Sequence, residues 1–234
     1  FIVVNACNNK TSLKESRPEN IISVERNAEA YTVKIKSKGS RNVFQGSSVA
    51  SISWANPTHI SGGDSITIPH KYPENRMFFA TKKQNNGDTL YMSERHIPME
   101  GTPNFRELGG IINKEGKQIR WGQFFRSGSL ENLTDNDLIY FNKLGIKKII
   151  DLRTDEEIAS APDRIADSSI QWQQVRIINP SDMKGALTSS AELNAETASA
   201  FLVESNKNFV LNIKRFQPVF DALENDEPFL FHCT

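Results

Sequence analysis

The chain has 234 residues, and its 28 Lys and Arg are balanced by 28 Asp and Glu. Charge this even provides no field to draw nucleic acid or an acidic membrane surface. The length accommodates one large domain or two small ones, and no stretch approaches the roughly 18 apolar residues of a membrane-spanning helix.

The first residues read as a processing segment. Phe1-Ile2-Val3-Val4 is apolar, Asn5-Ala6-Cys7 follows, and Asn8-Asn9-Lys10 turns polar at once. An apolar run, a small residue and a Cys form the end of a secretory signal. Val4-Asn5-Ala6-Cys7 resembles a bacterial lipobox, whose Cys is lipidated. The expectation is a signal end over residues 1–7 and a polar tether over 8–20. The protein is then lipid-anchored in a bacterial cell envelope, on the periplasmic or surface side. The competing reading is a stray Cys at a strand start. If Cys7 carries lipid, Cys233 is the one free thiol and no internal disulfide forms.

From residue 21 to 97 the signals are β. Tyr31-Thr32-Val33-Lys34-Ile35-Lys36 alternates with the period of a half-buried strand. Ser51–Trp54, Ser65–Ile68, Arg76–Thr81 and Thr89–Met92 read as further short strands. Ser37–Ser40, Ala55–Thr58, Ser61–Asp64 and Asn85–Asp88 read as turns, the last as a hairpin. This spacing predicts a small all-β sandwich, immunoglobulin-like. His59, His70 and His96 are too scattered to suggest a metal site and read as loop residues.

The pattern changes at residue 98. A compact Asn104-Phe105-Arg106-Glu107-Leu108-Gly109-Gly110 is followed by a turn at Lys114–Lys117 and a strand over Trp121–Ser127. Thr134 caps a helix whose face is Leu138, Phe141 and Leu144, stopped at Gly145. Ile146–Arg153 is a core strand, and Thr154 with Glu157 has capping-box spacing. Gln173–Ile178 is another strand. A long helical stretch from about Ala191 to Leu223 contains Pro218, where a kink or break is expected. Phe229-Leu230-Phe231 is the last strand. Strands alternating with helices predict an α/β domain over 98–234, with a central parallel or mixed sheet flanked by helices.

Sites in such sheets lie beyond the carboxyl ends of the strands. Four polar corners fall there: Arg126-Ser127, Asp151-Leu152-Arg153, Asn179-Pro180-Ser181-Asp182 and His232-Cys233. Parallel neighbours would bring them to one rim.

Asn104–Gly110, Phe125-Arg126-Ser127, Asp151-Leu152-Arg153 and His232-Cys233, in this order, resemble the bacterial tyrosine-phosphatase-like proteins of the triple-specificity group. The resemblance implies a tyrosine-phosphatase-like fold and cysteine-dependent hydrolysis of phosphotyrosine, phosphoserine/threonine or phosphoinositides. Phosphorylated protein or phospholipid would be the substrate, with no cofactor and no metal. Cys233 would be the nucleophile, its thiol pKa brought below about 8.5 by a loop of backbone N–H groups. By resemblance Asp182 is the candidate general acid, against a plain solvated loop Asp. His232 either tunes the thiol or serves the strand end. Arg106 and Arg126 either reach phosphate or brace the loop. Asp151 and Arg153 read as a buried ion pair, and Thr234 opens the loop. The family continues after the cysteine with a Gly-Lys-Asp-Arg segment, so the expectation is that residues 1–234 alone are inactive. A non-catalytic phosphate- or glycan-binding lipoprotein with a degenerate phosphatase domain is the alternative. A rhodanese-like sulfurtransferase fits less well, because it does not predict the upstream corners.

Overall fold

The computed structural model describes residues 21–70, 73–83, 89–115, 117–165, 167–177 and 213–234, with positions 199, 203, 206, 207 and 211. Among the described residues the N-terminal part has seven strands: β1 (Ile22–Arg26), β2 (Ala30–Ile35), β3 (Arg41–Gly46), β4 (Ser53–Ile60), β5 (Ser65–Pro69), β6 (Phe78–Lys83) and β7 (Leu90–Met92). They pair antiparallel in two sheets, ordered β1-β2-β5 and β4-β3-β6-β7. Period-two alternation puts Tyr31, Val33 and Ile35 on one face of β2, where they meet Val43, Phe79 and Met92 of the other sheet in one hydrophobic cluster. The turns at Ser37–Ser40 and Ser61–Asp64 carry the chain from one sheet to the other.

Several expectations shift here. Strands β1 and β3 are not singled out in the sequence: ISVER alternates over only four residues, and RNVFQG does not alternate. Ala55–Thr58 is not a turn but lies within β4. Gln45 pairs with Ser53 and Val43 with Thr58, so the residues between Ser53 and Thr58 bulge out of the ladder. Asn56 takes φ 55°, which Asn tolerates, and Pro57 sits on an edge strand, where a missing N–H costs little. His59 is on β4, and the His70 ring packs on Tyr31 with centroids 4.7 Å apart. The Asn85–Asp88 turn lies outside the described residues, although β6 and β7 are antiparallel neighbours.

The C-terminal sheet contains β8 (Arg106–Glu107), β9 (Phe124–Ser127), β10 (Lys148–Asp151), β11 (Gln171–Gln174) and β12 (Phe229–His232). Its order is β11-β10-β12-β9-β8, parallel except for β8. This is the mixed sheet expected from the alternation. Helices α1 (Asp135–Lys143), α2 (Asp155–Ser160) and α3 (Gln217–Glu224) accompany it. Phe125, Ile149 and Leu230 pack on the α1 side with Tyr140 and Phe141. Phe229 and Ile150 pack on the other side with Ala222 of α3.

Both capping boxes form. Thr134 Oγ1 accepts from Asp137 N at 3.2 Å, and Asp137 Oδ2 accepts from Thr134 N at 2.9 Å. Thr154 and Glu157 do the same at the start of α2. Pro218 falls in the first turn of α3, after a 3₁₀ turn over Ile213–Phe216, so the helical stretch is broken there rather than kinked. Most of the rest of the expected long helix lies outside the described residues. The strand expected at Gln173–Ile178 begins two residues earlier, and Val175 and Ile177 are buried beyond its end. Among the described residues no helix is long and apolar enough to cross a membrane.

A buried polar joint links the N-terminal sheets to the C-terminal one. Glu94 Oε1 accepts from Tyr140 of α1 at 3.0 Å and from Tyr31 of β2 at 3.3 Å. Arg26 Nη1 lies 3.6 Å and Arg76 Nε 3.3 Å from the same oxygen. Arg76 also pairs with Glu107 of β8. Burial lowers the affinity of Arg76 for its proton, but the charges of Glu107 and Glu94 outweigh it and hold the guanidinium charged. Burial first, and then Glu94, push both tyrosine hydroxyls far above their ordinary value, so they remain donors.

Candidate active site

The register of the parallel strands brings Ser127, His232, Asp151 and Gln174 to one level at the carboxyl end of the sheet. Three of the corners singled out in the sequence therefore meet on one rim. The fourth, Asn179 to Asp182, lies outside the described residues, as does Cys7. Alternation sends Ser127, His232 and Asp151 to the α1 face and Arg126 and Phe231 to the α3 face. Cys233 is one residue beyond β12 and exposed.

Asp151 and Arg153 are the buried pair expected. Arg153 Nε donates to Asp151 Oδ1 at 2.9 Å and Nη2 to Asp151 Oδ2 at 2.7 Å. This bidentate geometry is the strong form of a carboxylate–guanidinium contact. The guanidinium does more than the sequence suggests. Nη1 donates to the Ala161 carbonyl at 2.7 Å, and Nη2 reaches Asp163 Oδ1 at 2.7 Å. Arg153 thus ties the segment after α2 to the rim.

His232 is buried beside this cluster. Its Nε2 is 2.9 Å from Asp163 Oδ2 and 3.7 Å from Asp151 Oδ2. Its carbonyl accepts from Leu152 N at 2.9 Å. Burial alone would raise the Asp163 carboxyl, but the hydrogen bond and charge of His232, then the charge of Arg153, hold it below the usual carboxylate range. Asp151, Asp163 and His232 offer three ligand atoms within 4.8 Å of one another. A cation there would have to displace Arg153, whose Nη2 already bonds both carboxylates.

Thr234 Oγ1 donates to Glu157 Oε1 at 2.8 Å, while Glu157 Oε2 accepts from Thr154 N at 2.8 Å. One carboxylate therefore caps α2 and tethers the residue after the cysteine. Cys233 Sγ lies 3.8 Å from Thr234 Oγ1.

Arg106 and Arg126 are cross-strand partners at the other side of the rim. Partial desolvation and then the charge of Arg106 push the Arg126 guanidinium below its ordinary value, and Cys233 opposes them. The Asn104–Gly110 segment is built to hold this pair. Asn104 takes φ 56° and turns the chain. Phe105 is fully buried, and Glu107 is locked to Arg76. Gly110 has φ 79°, and a Cβ there would stand 2.4 Å from the Trp121 ring. The glycines are needed for close packing against Trp121.

Asp163 and Glu157 are the site residues that sequence reasoning missed as such. Glu157 was legible only as a cap. Asp163 follows Pro162 in an irregular segment, where no periodicity marks it.

The tyrosine phosphatase family matches residues 97–234, more than half of the chain. A tyrosine-protein phosphatase of Nostoc commune is 32% identical over 114 residues, covering 47% of this chain and 37% of that protein. A protein of Cupriavidus necator, provisionally named as a tyrosine-protein phosphatase, is 26% identical over 146 residues, covering 60% of this chain and 52% of its own length. The chain thus spans about half or less of the curated relatives it matches. The matching stretch opens at Ile97, just ahead of the segment that carries Arg106, and runs through the whole rim to Thr234: the chain belongs to the tyrosine phosphatase family.

Proposed function

We propose that the protein is a cysteine-dependent phosphatase with Cys233 as nucleophile. The observation that carries this reading is the placement of Cys233, exposed directly beyond a buried His232, at the rim where the parallel strands end. The thiolate sulfur attacks the phosphorus of a phosphate monoester, and the bond from phosphorus to the ester oxygen breaks. Asp182 donates a proton to that leaving oxygen. Water then attacks the phosphocysteine, releasing inorganic phosphate and restoring the thiolate. Arg106 and Arg126 supply positive charge beside the incoming dianion, an interaction of the charge-assisted kind. The substrate is phosphotyrosine, with phosphoserine/threonine and phosphoinositides as further candidates of the same chemistry.

We read residues 21–97 as an immunoglobulin-like β-sandwich domain, supported by two antiparallel sheets that share one hydrophobic cluster. Cys7 is proposed as a lipidation site that anchors the protein in the cell envelope, on the strength of the Val4–Cys7 pattern.

The test is turnover of p-nitrophenyl phosphate by the full-length protein and by its Cys233→Ser variant. Wild type turns over, while the variant loses turnover and still binds vanadate. Full activity in the variant removes Cys233 from the mechanism.

A further inference from the structure

The carboxylate that meets His232 is not the one closest to it in the sheet. Asp151 is the direct register partner of His232 on β10, yet its nearer oxygen stands 3.7 Å from Nε2. Asp151 is already occupied: Arg153 holds both its oxygens, and the Arg153 backbone N–H donates to Oδ1 at 3.0 Å. Asp163 divides its two oxygens instead. Oδ1 accepts from Arg153 at 2.7 Å, and Oδ2 stands 2.9 Å from His232 Nε2. The approach is a buried ion-pair contact: neither Oδ2 nor either His232 ring nitrogen makes an aligned hydrogen bond in the described structure. His232 is 1% exposed, so water does not compete for the contact.

The mechanical consequence follows from the chain. His232 is the last residue of β12 and Cys233 is the next. The His232 carbonyl is fixed by Leu152 N–H, and its buried ring stands against the Asp163 carboxylate at ion-pair distance. The peptide that presents the thiol is thereby held at both the backbone and the side chain. Arg153, through Ala161 and Asp163, fixes the segment that brings this carboxylate to the rim.

We propose that Asp163 is a positioning residue for the cysteine step: it orients the His232 ring through Nε2 and so sets the strand end that presents Cys233. The inference rests on the reading of Cys233 as nucleophile. It is distinct from a stability role, because a misplaced nucleophile slows the chemical step without weakening substrate binding.

The test uses the full-length protein and its Asp163→Asn and Asp163→Glu variants. In Asp163→Asn, kcat falls on the order of tenfold or more with KM little changed, as expected for a buried contact made unfavourable. Alkylation of Cys233 by iodoacetamide slows in parallel. Asp163→Glu, which restores the charge, recovers part of both. Wild-type kcat and alkylation in folded Asp163→Asn overturn the proposal, as does equal loss in kcat and folded fraction without rescue by Glu. If Asp163→Asn does not fold, nitrogen NMR of His232 in the wild type decides. A proton on Nε2 is required, and a bare Nε2 facing the carboxylate overturns the assignment. Retained turnover in Cys233→Ser would instead remove the nucleophile itself, an outcome separate from any result at Asp163.

Discussion

Arg106 and Arg126 stand directly opposite each other across the β8–β9 ladder, two like charges on the rim from which Cys233 emerges. Such a pair opposes folding. Neither guanidinium has a carboxylate partner among the described residues, and the Arg126 group lies 5.8 Å from the Phe231 ring centroid. An arrangement that costs stability on this rim fits the proposal that the pair receives an anion.

Replacing Arg126 with Ala in the full-length protein should therefore raise KM for a phosphate monoester by about tenfold, the scale of one charge-assisted hydrogen bond. The unfolding midpoint should stay level or rise slightly, because a repulsion is removed. Steady-state kinetics and urea melts on the same preparation check both halves of the expectation. A lowered midpoint with unchanged KM would mark Arg126 as a brace for the fold.

The Glu94 joint predicts a larger effect on stability. Glu94 is the shared acceptor of Tyr31 and Tyr140 and lies between Arg26 and Arg76, all in the interior. Glu94→Gln keeps the shape and removes the charge that compensates two guanidiniums. We expect a loss of about 3 kcal/mol, the lower end for breaking a buried charge pair, measured by urea denaturation. A change under about 0.5 kcal/mol, typical of surface positions, would show that the joint is not energetically coupled to folding.

Asp137 predicts acid sensitivity. Burial pushes its carboxyl up, but hydrogen bonds from the Thr134, Glu100 and Gly101 backbone outweigh this and lower it below the ordinary 3.8. A depressed folded-state value contributes stability that is present above the ordinary value and lost as pH falls through the lowered one. The stability difference between wild type and Asp137→Asn should be about 1–2 kcal/mol at neutral pH, the range for loss of a cap. It should shrink as the pH drops below about 4. A difference that stays constant down to strong acid would contradict the assignment.

These features differ in how far they can be read from the chain alone. The rim was legible because its strands are short apolar runs, each followed by polar residues, and parallel pairing then aligns their ends. The Asp151–Arg153 contact was legible because the partners are two residues apart. Asp163 was not, because its contact with His232 depends on how α2 ends and on which strand β12 inserts beside. Arg26 and Glu94 were hidden for a similar reason: each looks like a surface charge until two sheets and α1 enclose it. Ala55–Thr58 misled because Asn-Pro favours turns, and only pairing with β3 shows that these residues form a bulge on an edge. Pro218 left kink and break both open, and the break is found because proline suits the first turn of α3.

The most direct measurement of the central claim is the identity of the phosphorylated atom. Full-length protein is mixed with a phosphate monoester, quenched rapidly, digested and examined by peptide mass spectrometry. The account predicts a phosphoryl group on the peptide that contains Cys233, absent in Cys233→Ser. Turnover in which the phosphoryl group resides on another residue, or continues undiminished in Cys233→Ser, would contradict it.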